Sequence, residues 1–167
     1  ILKMIVLKFG GTSVGTPQRI KDLVALTVDE RPKIVVLSAM SGTTNALVAI
    51  CDALYKKDAQ EAKKLIAALE SKYKSVITEL FETKGGLSKA TQLLEQHFAH
   101  ISSFTLDMFT ANEEKTILAQ GELLSTALYH YYLEEKNIAS VLLPALNFMR
   151  IDADGEPDMD YISKYIQ

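Results

Sequence analysis

Two unbroken apolar runs stand near the start of the chain, at 4–7 (Met-Ile-Val-Leu) and 34–37 (Ile-Val-Val-Leu). Neither alternates with polar residues, which is the pattern of strands covered on both faces of a parallel sheet. Between them Ile20, Leu23, Val24 and Val28 recur at helical spacing until Pro32, so this stretch predicts a βαβ unit with a right-handed crossover. Leu47, Ile50 and Leu54 then open a helical pattern that lasts to Glu135, broken near Lys57-Asp58, Gly85-Gly86 and Ala111-Asn112. Gly85-Gly86 has no strand before it and reads as a connector between two helices. Residues 139–143 predict a third strand ended by Pro144, 148–151 read as strand or loop, and Pro157 opens a last helix carrying Ile162, Tyr165 and Ile166. Few strands among many helical segments, and an end at Gln167 without a stop signal, suggest a truncated piece of a larger sheet of the α/β class.

The segment leaving each strand carries the candidate chemistry. Lys8-Phe9-Gly10-Gly11-Thr12-Ser13 leaves the first strand and leads to Thr16-Pro17, an N-cap and first helical residue. Two glycines let an anion approach main-chain N–H groups, the helix start adds positive potential, and Lys8 adds a full charge. A plain tight turn is the competing reading of two glycines. The second strand empties into Ser38-Ala39-Met40-Ser41-Gly42-Thr43-Thr44-Asn45, rich in hydroxyls that either cap the next helix or meet a ligand. In open α/β sheets ligands bind beyond the carboxyl ends of strands, so both turns are expected to line one crevice. Glu122, on a largely apolar helix with Leu118 and Ser125, is costly there unless it meets a cation or a donor; a partly exposed glutamate favoured by the helix dipole is the competing reading.

Composition narrows the partners. The chain has 167 residues, 48% apolar and 23% charged, enough for one domain, residues 1–167, with a sizeable core. A net charge of −3 without a Lys/Arg cluster argues against nucleic acid. No apolar run approaches the ~18 residues of a membrane span, and there is no signal-peptide pattern, so a cytoplasmic protein is expected. Ile1-Leu2-Lys3 precede Met4, which reads as a natural start. The lone Cys51 cannot form an internal disulfide and sits in an apolar stripe, which points to core rather than nucleophile. A nucleotide P-loop is excluded because Lys8 precedes its glycines. His97 and His100 lack the partners of a zinc set, and Asp152 to Asp160 fail the calcium-loop positions, so no metal ligands are assigned and 152–160 read as a solvated turn.

The string Lys-Phe-Gly-Gly-Thr-Ser-Val resembles the opening of the aspartokinases, members of the amino-acid kinase superfamily. Leu37-Ser38-Ala39, Gly42-Thr43-Thr44-Asn45, Gly121-Glu122 and the stretch from Met149-Arg150 to Glu156-Pro157-Asp158 extend that resemblance over nearly the whole chain. It implies a three-layer α/β/α sandwich of the carbamate-kinase type, here the amino-terminal, amino-acid-binding portion without the nucleotide-binding half or regulatory domains. It also implies transfer of the ATP γ-phosphoryl group to the side-chain carboxylate of L-aspartate, the first step toward lysine, threonine and methionine. Lys8 would bridge the transferring group and the leaving diphosphate, and Phe9, Gly10, Gly11, Thr12 and Ser13 would form the phosphate turn. Ser38 and Thr44 would contact aspartate, and Glu122 its ammonium. Mg2+ would be held mainly by ATP, and the parent would be a homo-oligomer. The family's later Arg-Gly-Gly-Ser-Asp stretch does not occur here, so the chain is expected to be inactive alone. Kinases of glutamate, acetylglutamate, carbamate or UMP, or a non-catalytic amino-acid-binding fragment, are the alternatives.

Overall fold

A computed structural model describes residues 3–106 and 108–166. The reading of Ile1 and Leu2 as residues ahead of the first methionine, and of the chain's end at Gln167, lies outside them. Strands β1 (Ile5–Phe9) and β2 (Lys33–Leu37) pair in parallel, with Ile5 opposite Lys33 and Phe9 opposite Leu37. Helix α1 (Pro17–Thr27) makes the crossover. It starts where its sequence says it should: the Thr16 side chain accepts from the Arg19 N–H, and Pro17 fills the first turn, where its missing donor costs nothing.

Four long helices come next: α2 (Thr43–Tyr55), α3 (Ala59–Leu80), α4 (Lys84–Ser103) and α5 (Ala111–Glu135). Each packs on its successor, and α5 also closes back on α1, α2 and β2. The apolar stripes meet in one core, where Leu47, Ile50, Tyr73, Leu94, Ile101, Ile117, Leu124 and Leu128 are buried. Side-chain caps begin three of these helices: Asp58, Thr83, and Thr110 with Glu113 in a reciprocal capping box. Helix α5 is therefore the element against which the sheet is set.

The structure departs from the expected pattern in several places. Ile5, Leu7, Phe9, Val35 and Leu37 turn toward the helices, but Val6 is 64% exposed and Val36 44%. Among the described residues helices pack against one face of the sheet, so the apolar character of the other face is not used in packing here. Residues 139–143 form no strand, because β1 and β2 pair with each other and nothing described offers 139–143 a ladder; Val141 is 82% exposed. Gly85 and Gly86 are not a connector: they lie in the first turn of α4, after the Thr83 hydroxyl has accepted from the Gly86 N–H, and the connection is 81–83. The last helix, α6 (Met159–Tyr165), opens at an Asp158 cap rather than at Pro157, which bridges antiparallel to Ile151. The acidic stretch is the expected solvated turn, with Asp152 Oδ1 accepting from the Asp154 and Glu156 N–H groups. No helix of the described residues is long and apolar enough to cross a membrane.

Candidate functional site

The turn after β1 is built by its own backbone. Ser13 N–H donates to Gly10 C=O at 2.9 Å, Gly15 N–H to Thr12 C=O at 3.3 Å, and Arg19 Nη1 to the same Thr12 oxygen at 2.6 Å. The N–H groups of Gly11 and Thr12 donate to no protein acceptor among the described residues. Gly11 is required by close approach, since a Cβ there would stand 2.7 Å from the Ala39 carbonyl oxygen. Arg19 brings a second cation to this turn, which the sequence reading missed; its signal was a position three residues past the Thr16 cap, on the helix side facing back to the turn. A cleft of about 380 Å3 between the turn and α1 is lined by Phe9, Thr12, Ser13, Arg19 and Leu23 among others.

The turn after β2 lies directly against the first. Ser41 Oγ donates to Gly11 C=O at 3.1 Å, and Ser38 N–H donates to Phe9 C=O at 3.0 Å. The hydroxyls do not cap α2: its N-cap is Gly42, in the left-handed region at φ +76°, without a side-chain hydrogen bond. Thr43 instead pairs with the Tyr73 hydroxyl at 3.0 Å, both fully buried, and burial pushes the Tyr73 phenol up to about 12. Thr44 remains exposed in the first turn of the helix. Lys72 Nζ, from α3, donates to Ser41 C=O at 2.6 Å.

Helix α5 supplies the third component. Gly121 lets it press onto the second turn, where a Cβ would lie 2.7 Å from that of Ala39. One residue on, Glu122 Oε1 accepts from the Ala39 N–H at 3.4 Å, and Ser125 Oγ donates to Ser38 C=O at 2.8 Å. The glutamate thus meets the donor expected of it while staying exposed. Gly11, Ser38, Ala39, Ser41 and Glu122 are accordingly one connected unit. Lys8 lies at the same carboxyl end of the sheet but in register with Val36 on the open face, whereas Glu122 arrives from the helical face. The two approach the strand ends from opposite faces, which departs from the expectation that Lys8, the glycine turn, the hydroxyl turn and Glu122 share one crevice; what meets directly is the pair of turns, through Ser41 and Gly11. Lys8 forms no ion pair among the described residues.

Other reactive groups are placed away from this unit. Cys51 is buried in α2, which pushes its thiol up to about 11. His97 is half-buried, its Nδ1 2.6 Å from Gln120 Oε1, and burial lowers its pKa. Among the described residues no three His, Cys, Asp or Glu side chains gather as a metal site would require.

Against known proteins, the amino acid kinase family model matches residues 3–163. The chain belongs to the amino acid kinase family. Within it, an aspartokinase of Chlamydia trachomatis is 32% identical over 157 residues, covering 90% of this chain and 34% of that protein. The lysine-sensitive aspartokinase 3 of Escherichia coli is 31% identical over 169 residues, 94% of this chain and 35% of that one. The crystal structure of E. coli aspartokinase III with aspartate and ADP superposes with a TM-score of 0.77 at 25% identity, over 98% of this chain and 36% of that one. This family member therefore has an α/β kinase fold similar to that of aspartokinases, and it spans about a third of the length of the curated relatives it matches.

Proposed function

We propose that the chain is the amino-acid-binding portion of an aspartate kinase, whose parent transfers the γ-phosphoryl group of ATP to the side-chain carboxylate of L-aspartate. The observation that carries this reading is the contact of the Glu122 carboxylate with Ala39, between Ser38 and the Ser41 turn that locks onto Gly11. It sets an anion beside free hydroxyls at the strand ends, which suits a zwitterion: the ammonium to Glu122, and the carboxylates toward Ser38 and the exposed Thr44. Support also comes from the E. coli neighbour crystallised with aspartate and ADP.

The chemistry needs no general base, because an aspartate side chain with a pKa of ~3.9 is already ionised at neutral pH. The difficulty is bringing one anion to another, so the protein's work is positioning and charge stabilisation. Lys8 and the open N–H groups of Gly11 and Thr12 would face the phosphates, with Phe9, Gly10 and Ser13 completing the turn. ATP, with Mg2+ held on its phosphate oxygens, would supply the phosphoryl group; the described side chains provide no acidic cluster for the ion. A cytoplasmic, homo-oligomeric parent acting early in lysine, threonine and methionine synthesis fits the same reading.

Calorimetric titration of the 167-residue chain with L-aspartate tests it, alongside L-glutamate and N-acetylglutamate. Saturable heat with aspartate that Glu122→Gln removes is expected, together with no ADP release in a coupled assay. Binding of another acid in preference to aspartate would replace the reading with a sister kinase. In the full-length parent, Lys8→Ala should chiefly depress kcat and Glu122→Gln chiefly raise the aspartate KM.

A further inference from the structure

Helix α3 lies behind the hydroxyl turn and carries two adjacent residues that grip it on either side of Gly42. Tyr73 holds the Thr43 hydroxyl from within the core, and Lys72 Nζ holds the Ser41 carbonyl at 2.6 Å. Ser41 is also the residue through which this turn locks onto Gly11, and Gly15 is pressed so closely on its Oγ that a Cβ there would come within 2.7 Å. We propose that Lys72 is a further positioning residue of this site, its ammonium pinning Ser41 so that the hydroxyl turn keeps its register against the glycine turn. This extends the aspartate-binding reading and rests on it.

Charge is the informative feature. The start of α2 has no side-chain cap, and its first turn has no acidic residue, so a cation there stands against the positive end of the helix. No carboxylate pairs with Lys72 among the described residues, and burial lowers its pKa. A neutral donor could reach a carbonyl without that electrostatic opposition. What the ammonium adds is a shorter, stronger, charge-assisted hydrogen bond, at the one carbonyl whose side chain joins the two turns. Lys74, two residues along the same helix, is by contrast engaged with Glu70 at 2.6 Å and touches neither turn.

Two readouts on the 167-residue chain test the assignment, using Lys72→Met, Lys72→Arg and, as a control, Lys74→Met. The first is the L-aspartate dissociation constant by calorimetry. The second is hydrogen exchange at the Thr43 and Ala46 amides, which donate to the Met40 and Gly42 carbonyls of the turn. Lys72→Met should weaken aspartate about tenfold, the low end for one charge-assisted hydrogen bond, and speed both amides. Lys72→Arg should recover both properties, and Lys74→Met should leave both unchanged. Faster exchange in Lys72→Met with undiminished aspartate affinity overturns the positioning role. If the unaltered chain binds no aspartate, the functional reading fails by itself; the pinning of Ser41 is then judged on exchange, and unchanged exchange in Lys72→Met overturns it.

Discussion

Replacing glycine by alanine at two helical positions should change stability in opposite directions. In a helix interior the exchange alone favours alanine by about 1 kcal/mol, with less at a first turn. At Gly85 an added Cβ meets nothing within 4 Å, so Gly85→Ala should stabilise the chain by about 0.5 kcal/mol. At Gly121 the Cβ would meet Ala39 Cβ at 2.7 Å, Thr43 Cγ2 at 3.2 Å and Leu47 Cδ1 at 3.4 Å. Carbon atoms rest about 3.5–4.0 Å apart, so helix and turn must separate by roughly 1 Å. None of the three neighbours can swing away: alanine has no rotamer, Thr43 is tied to Tyr73, and Leu47 is sealed in the core. Overpacking of this kind costs about 1–3 kcal/mol, and with rigid neighbours the upper half applies. After the propensity gain, Gly121→Ala should lose about 1–2 kcal/mol, a fall of about 3–6 °C in Tm for a chain of this size. It should also weaken aspartate binding, because the Glu122 contact to Ala39 is already 3.4 Å long. Urea unfolding followed by circular dichroism measures the first effect and calorimetry the second. A Gly121→Ala chain as stable as Gly85→Ala would refute the close packing of α5 on the second turn.

The Thr43–Tyr73 pair should behave as a unit in a double-mutant cycle: Thr43→Val and Tyr73→Phe each strand a buried hydroxyl and cost about 1–2 kcal/mol, while the double variant costs less than their sum. Additive losses in urea unfolding would break that pairing. His97 gives a pH dependence whose sign is fixed by burial. Its pKa is lowered from the ordinary 6.5, so the unfolded chain takes up the proton first, and stability falls as pH drops through about 6.5 toward the folded value. Comparing urea midpoints at pH 7.5 and 5 should show this fall reduced in His97→Gln; an equal fall in both chains would remove His97 as its source.

The long helices were legible because their stripes are strongly periodic, and β1 and β2 because each is a compact apolar run ending in a turn. What the pattern misjudged was partnership. An apolar run such as 139–143 has the composition of a strand, but a strand exists only beside another, and nothing local states which segment that is. The same limit explains why the sequence suggested cover on both faces for Val6 and Val36. Gly85-Gly86 misled differently: glycine is a turn signal, yet the Thr83 cap was strong enough to start the helix through both residues. At the site, Glu122 was singled out by the resemblance more than by its helix: the side chain is exposed, so the apolar neighbours alone put no cost on it, and its one partner among the described residues is the Ala39 N–H. Lys72 was not singled out, because it acts on a backbone carbonyl 31 residues away and no side-chain pattern marks such a target; Arg19, whose target Thr12 lies within the same turn-to-helix segment, was signalled only by its place just past the Thr16 cap.

The hydroxyl turn shows how geometry divides roles that composition leaves equal. Ser38, Ser41, Thr43 and Thr44 have much the same chemistry, and from sequence any of them could cap a helix or meet a ligand. Ser41 spends its hydroxyl on Gly11 and Thr43 spends its own inside the core, so those two fix the shape of the turn and have no free hydroxyl to offer a ligand. Thr44 is left exposed, and the Ser38 backbone is fixed at both ends, by Phe9 through its N–H and by Ser125 through its carbonyl. On the proposed aspartate-binding reading, selectivity among acidic amino acids would fall to the exposed Thr44 hydroxyl, the half-buried Ser38 and the Glu122 carboxylate. Their spacing is fixed by contacts that α3 and α5 make with the turn from behind.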